Sequence, residues 1–311
     1  MSTLQPSLPY RLVSRLTSEM HLQATLAIVA LMPADYDRAV ILLTLMRRSA
    51  PDWSGTGTIA PPARPTRFGS INALATSLGR PYESVRRHVR ALVAAGLCVE
   101  TAAGVAISPD PATAQRFCDT YVRLHDIYLR LVQDLAAAGV IDRGEGDGSG
   151  PVSDAVPLDT IVATAIDAML VPFELFAAFG TWQAMPVWLV VTVACVRPIT
   201  TDPALAACYA FASTPDALRQ PISTRAVMRT LGFSYGTVWR HCTALEARDM
   251  LVRTPGGWIV GMGQLRDPQI EARVVDSIHY YCRRAAALVG AGLYAAGPPY
   301  IGGRPPLVVI G

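Results

Sequence analysis

Residues 232–245, GFSYGTVWRHCTAL, decide the fold, because residues 79–92, GRPYESVRRHVRAL, repeat them without a gap 153 positions earlier. Gly79 and Gly232 open the two stretches, each preceded by a leucine. Tyr82 matches Tyr235, Val85 matches Val238, and Arg87-His88 match Arg240-His241. Ala91-Leu92 align with Ala244-Leu245, and the register continues through Ala94/Ala247, Val99/Val252 and Gly104/Gly257. Each copy reads as a short helix, a sharp turn, a second helix and a pair of short strands.

The residue types explain that layout. Residues 222–231 form a short helix with Ala226, Val227 and Leu231 available for burial. Gly232 then falls where the chain turns sharply, a place that often needs positive φ. Ser234 is suited to cap the next helix, because its hydroxyl accepts a bond from a free backbone N–H. In the first copy the turn is Gly79-Arg80-Pro81, and proline is at ease in the first turn of a helix. Val85, Val89, Leu92 and Val93 fall at i, i+4, i+7 and i+8, a single buried stripe. Val238, Cys242, Leu245 and Glu246 hold the same places, apolar except for the last. Tyr82, Arg86, Arg87 and Arg90 point to the outside of the first copy. Residues 96–107 and 249–260 both read as strand, tight turn, strand, with Pro255-Gly256-Gly257 the clearest turn.

This layout resembles the winged helix-turn-helix transcriptional regulators of bacteria, such as the MarR-like and GntR-like groups, over about 40 residues in each copy. The resemblance implies a mainly α fold with small β-hairpin wings: two tandem winged helix-turn-helix units with long flanking helices, related by a pseudo-two-fold axis. It also implies a sequence-specific regulator that places recognition helices 81–95 and 234–248 in successive major grooves of double-stranded DNA, about 34 Å apart. A fused duplication builds inside one chain what such regulators assemble from two.

Composition sets the outer bounds. The 311 residues suit two domains of ordinary size. With 51% hydrophobic and 16% charged residues, a large core is expected. All 27 basic residues are arginine, which together with abundant Ala, Gly and Pro reads as base composition of the gene. A net charge of +3 argues little by itself, but its distribution does: residues 61–93 carry six arginines against Glu83, and residues 219–253 carry six against Glu246 and Asp249. The cysteines at 98, 118, 195, 208, 242 and 282 have no C-x-x-C spacing and read as buried small hydrophobes in a reducing compartment. No signal peptide is visible, so a cytoplasmic, nucleoid-associated protein is expected.

Residues 170–196 are almost continuously apolar and long enough to span a bilayer. The repeat argues for a buried helical hairpin instead. Met185-Pro186 matches Met32-Pro33, and the sister stretch holds Glu19, His21, Asp35, Asp37 and Arg38.

The chain divides accordingly. The first repeat spans 1–141, with its winged module at 69–108; 142–157 is a Gly-, Asp- and Pro-rich linker; the second repeat spans 158–296, with its winged module at 220–262; and 297–311 is a tail. Residues 1–15 carry little pattern and are expected to fray. Helices are expected at 16–31, 34–46, 111–138, 158–180, 184–197, 203–213 and 267–293. Residues 49–68 read as a loop, in which Arg64 and Arg67 are within reach of a phosphate or simply solvated. The tail, with Pro298-Pro299 and Pro305-Pro306, is expected to be extended and mobile.

The residues expected to touch DNA are Arg80, Tyr82, Ser84, Arg86, Arg87, His88 and Arg90 in the first copy. In the second they are Arg229, Ser234, Tyr235, Thr237, Trp239, Arg240 and His241, with Arg253 and Thr254 on its wing. The copies differ where bases would be read: Arg86 becomes Trp239, Arg90 becomes Thr243 and Glu83 becomes Gly236. Arginine pairs bidentately with guanine, which tryptophan cannot do, so unequal half-sites are expected. Trp239 either meets a sugar or thymine methyl, or packs against the wing. Arg87 and Arg240 read as phosphate clamps or as internal ion pairs. His88 and His241 read as phosphate contacts or internal hydrogen bonds; neither has partners for a metal. Phe173, Phe176, Phe179, Trp182 and Trp188 line either an effector pocket or the helix–helix core.

Catalytic motifs are missing: no G-x-S-x-G, P-loop, dinucleotide fingerprint or H-E-x-x-H occurs. No enzyme, cofactor, metal or membrane partner is expected. Double-stranded DNA is the expected partner, with self-association or a second transcription factor as further possibilities. Two other readings stay open: a plasmid-type replication initiator with paired winged domains, and a protein-interaction module whose arginines meet an acidic partner.

Overall fold

The computed structural model describes residues 8–32, 35–49, 69–142, 156–178, 182–210, 214–263, 267–293 and 300–311, without the side chains of 172–178. The loop at 49–68 with Arg64 and Arg67, most of the linker at 142–157, and the start of the tail with Pro298-Pro299 lie outside them. So do the side chains of Phe173 and Phe176, and Phe179 altogether.

Capping residues set most of the helix starts. Asp35 caps α2 (Tyr36–Arg48), Ser70 caps α3 (Ile71–Ser77) and Asp110 caps α5 (Pro111–Ala137), each accepting from a backbone N–H three residues on. Asp202 caps α8 (Pro203–Cys208), Ser223 caps α9 (Thr224–Leu231), Ser234 caps α10 (Tyr235–Glu246) and Asp267 caps α11 (Pro268–Gly290). The remaining helices are α1 (Tyr10–Val29), α4 (Tyr82–Ala94), α6 (Leu158–Ala178) and α7 (Ala184–Thr201). The fold is mainly α, with two small antiparallel hairpins among the described residues: β1 (Cys98–Thr101) with β2 (Gly104–Ile107), and β3 (Leu251–Thr254) with β4 (Gly257–Val260).

The hairpins recur at the sequence offset to the residue. Thr101 pairs with Gly104 as Thr254 pairs with Gly257. A bridge from Gly69 to Val105 in the first half is repeated from Ile222 to Trp258 in the second.

The halves are interleaved. Helix α1 packs on α5 of its own half and on α7 of the other; α6 packs on α11 of its own half and on α2 of the other. Likewise α5 meets α6, and α1 meets α11. Each cross-contact therefore has its reciprocal, the pattern of a two-fold interface. One apolar core runs through both halves, from Val13 and Leu22 to Val190 and Cys282. Polar groups cross it too. Arg47 binds Asp167 with two hydrogen bonds, Nε–Oδ1 2.6 Å and Nη2–Oδ2 3.0 Å. Buried His21 lies with Nδ1 2.7 Å from the Thr17 carbonyl, while its Nε2 is 3.1 Å from the Ala168 carbonyl and 3.2 Å from the Tyr281 hydroxyl. Upon this frame α2 supports α4 and β2, and α7 supports α10 and β4.

Several expectations are corrected. Helix α1 begins at Tyr10 instead of Leu16, because its first turns find tertiary partners: Val13 is wholly buried and the Tyr10 hydroxyl lies 3.4 Å from His279 Nε2. The described part of the tail, residues 300–311, is extended but docked. Asp126, itself buried, accepts from the N–H groups of Ile301 (3.0 Å) and Gly302 (2.7 Å). Further along, Arg130 donates to the Pro305 carbonyl, Gln23 to Pro306 (2.7 Å) and Arg197 to Val308 (3.0 Å), so the tail straps α5 and α1 to α7. Cys208 is exposed, since the short α8 buries no residue; the other five cysteines are buried. Burial pushes the Cys98 and Cys242 thiols up to about 12. The apolar run at 170–196 is divided between α6 and α7. Among the described residues α7 is long and apolar enough to cross a membrane, and 61% of it is buried inside the protein.

Candidate nucleic-acid interface

In the first half, α4 turns Val85, Val89 and Leu92 inward and leaves Tyr82, Arg87 and Arg90 exposed. Gly79 adopts φ +59° to make the turn before it. Arg86 is partly exposed and pairs with Glu83 (2.7 Å), one turn earlier. An exposed pair of this kind contributes about 0–1 kcal/mol, so Arg86 is readily released to another anion. Arg87 and Arg90 form no ion pair with a described residue.

Arg80 and His88 face the frame instead. The Arg80 guanidinium lies 4.0 Å from the ring centroid of Trp182, which comes from the other half. His88 Nδ1 is 3.9 Å from Asp35 Oδ2, the carboxylate that Arg38 also holds at 2.8 Å. Beside them, burial holds the Asp37 carboxyl above its usual range, although the charges of Arg80 and His88 pull the other way. Both residues therefore leave the set expected to face a ligand, as they are committed to packing between α4, α2 and the opposite half. Ser84 is partly buried, between the two faces.

In the second half, Gly232 takes φ +68°, and Ser234 accepts from the Thr237 N–H (3.2 Å) while its hydroxyl meets that of Thr237 at 2.9 Å. Tyr235, Arg229, Arg240 and Arg253 are exposed. His241 is not: it is 7% exposed, its Nε2 has no hydrogen-bond partner among the described residues, and burial, then the Arg240 charge, lowers its pKa. It is a buried core residue and is removed from the candidate contacts. The cause is helical spacing: residue 241 stands at i+3 from Val238, inside the buried stripe. Thr254 is also spent locally, its hydroxyl donating to the Gly257 carbonyl (3.0 Å) across the hairpin turn.

Trp239 packs on the hairpin and borders a groove. Its ring meets Trp258 edge to face (5.7 Å, 65°) and lies nearly parallel to Tyr235 (6.3 Å, 10°). The Arg253 guanidinium sits 4.8 Å from the Trp239 centroid and 5.8 Å from that of Trp258. Trp258 is fixed by a bond from Nε1 to the Thr224 hydroxyl (2.9 Å). Between α9, α10 and the hairpin these side chains bound an open groove of about 390 Å³ that Arg225 also lines.

Arg225 and Trp258 line this groove without being among the residues expected from the sequence. The signal was available in the repeat, where their counterparts are Asn72 and Val105. Of the aromatic residues proposed for an effector pocket, Trp182 is buried beneath Arg80, and Trp188 is partly buried against the core. No protein-family model, curated protein or solved structure matches the chain.

Proposed function

We propose that the chain is a sequence-specific double-stranded DNA-binding regulator of transcription, a pseudo-dimer within one chain whose tandem winged helix-turn-helix units present α4 and α10 to successive major grooves. One observation carries the reading. Two helices in equivalent positions, each followed by a hairpin in the same register, turn arginines outward from an interleaved frame with reciprocal contacts. Arg86, Arg87 and Arg90 serve the first unit; Arg229, Arg240 and Arg253 serve the second. Arginine suits both phosphate clamping and bidentate guanine recognition. The interleaving gives the heads a fixed relation, as half-site spacing demands.

The test is selection of bound genomic fragments, followed by a salt titration on the selected duplex. Log affinity should fall steeply with log salt, by about 0.9 per phosphate contact. Arg87→Ala and Arg90→Ala should each reduce that slope by roughly one. Failure to select any fragment, or an affinity indifferent to salt, would move the basic helices to an acidic protein partner.

A further inference from the structure

Four differences between the halves converge on one place. Asn72, Arg86, Glu100 and Val105 of the first half become Arg225, Trp239, Arg253 and Trp258 of the second. All four second-half residues line the groove between α9, α10 and the hairpin, together with Tyr235. The exchange removes a carboxylate, adds two guanidinium groups with one at the helix given up, and adds two indole rings.

We propose that this groove holds a single unpaired nucleotide, its base stacked on the exposed Tyr235 ring that Trp239 backs, and its phosphate met by Arg225 and Arg253. The inference rests on the nucleic-acid reading of this interface and names the chemistry of its second half. Tyr235 is 47% exposed, Trp239 is partly exposed, and their rings lie within 10° of parallel. Such rings make a platform that every base can use, because each base has a π face. Arg253 already stacks on Trp239, which sets its guanidinium beside the platform without cost at binding. Among the described residues no carboxylate lines the groove, and its volume of about 390 Å³ falls in the range of about 300–1,000 Å³ typical of small-molecule sites. In the first half the matching positions hold Glu100, which would repel a phosphate, and Val105, which gives no ring.

The experiment uses the full chain and a short dye-labelled oligothymidylate, which has no duplex, read by fluorescence anisotropy. Saturable binding is expected. Trp239→Ala and Tyr235→Ala should weaken it by roughly tenfold or more, and Trp239→Phe should retain most of it. Tyr235 is exposed enough for its truncation to leave the fold intact, so a loss there cannot be assigned to unfolding. Thymidine 5′-monophosphate, titrated as competitor, distinguishes the source. Competition at low concentration supports a free nucleotide; competition only at high concentration supports an unpaired nucleotide within a strand. Oligothymidylate binding that ignores the substitutions at 235 and 239, or no binding of either probe, overturns the proposal. Duplex binding, followed in parallel with Arg87→Ala and Arg90→Ala, shows whether the double-stranded reading fails as well.

Discussion

The Arg80 guanidinium lies 4.0 Å from the centroid of the Trp182 ring, although the two residues belong to different halves of the chain. Arg80 sits in the turn that leads into α4, so one arginine joins the first basic helix to the opposite half. In the second half Phe233 holds the equivalent place and is buried, 8% exposed. One head is thus anchored by a cation on an aromatic ring, the other by apolar burial.

Replacing that anchor should loosen the first head selectively. Arg80→Ala is expected to lower stability by about 0.5–2 kcal/mol, with Arg80→Lys recovering part of the loss. Urea unfolding measures the cost, and hydrogen exchange should show faster opening in α4 than in α10. Equal acceleration in both helices would contradict the anchor.

The docked tail makes a second prediction. Asp126 accepts from His125 Nδ1 (2.8 Å) and from two backbone N–H groups of the tail. Asp126→Ala would leave the wholly buried His125 without its partner, at about 1–3 kcal/mol, and would remove the acceptor shared by the two tail N–H groups. The tail should then detach, and limited proteolysis should trim the variant near residue 300 well before the wild type. Resistance equal to the wild type would show that the remaining bonds, from Gln23, Arg130 and Arg197 and from Tyr300 and Arg304 to α5, hold the tail without Asp126.

Acid should destabilise the protein through two histidines. Burial lowers the pKa of His21 and of His241 in the folded state. As pH falls through about 6.5 the unfolded chain takes up protons that the folded chain does not. Stability is therefore full above that pH and declines as pH drops toward the folded pKa values. Urea midpoints at about pH 7.5 and about pH 5.5 should differ, and His21→Gln should shrink the difference. An unchanged difference in that variant would exclude His21 as a source.

Two turn glycines, Gly232 between α9 and α10 and Gly257 in the second hairpin, separate backbone strain from close contact. Gly232 has φ +68° and open space where a Cβ would sit, whereas at Gly257 (φ +132°) a Cβ would come within 2.3 Å of the Ile222 carbonyl oxygen. Gly232→Ala should cost about 1–2 kcal/mol. Gly257→Ala should cost about 3 kcal/mol or more, since it also displaces the Ile222–Trp258 bridge. Thermal melts followed by circular dichroism will rank the two; equal losses would mean the bridge gives way freely.

Much of this fold was legible because its signals are local. The turn glycines, Ser234 and the strand pairs gave both hairpins and the helices around them, since φ preference, capping and alternation act over a few residues. The interleaving was not legible. Residues 16–25 of α1 are all buried, which says that the helix has neighbours on every side but not which ones. Nor was the docking of the tail, because its backbone bonds go to Gln23, Arg130 and Arg197, far away in sequence. In the candidate site the outward arginines followed from the apolar stripe. His241 stands at i+3 from Val238, a buried place outside the i, i+4, i+7 positions, and the groove is not legible because its residues come from three elements.

The clasp of α1 by α7, and of α6 by α2, changes what dilution can do. An assembly built from two separate chains falls apart as it is diluted, and its stability cannot be separated from its concentration. Here the mate is always present, at an effective concentration set by the connecting chain and on the order of millimolar. Folding and pairing become one first-order event, and no molecule can exchange its partner. A substitution in one half never appears in the other, so an inequality such as Trp239 opposite Arg86 is inherited by every copy.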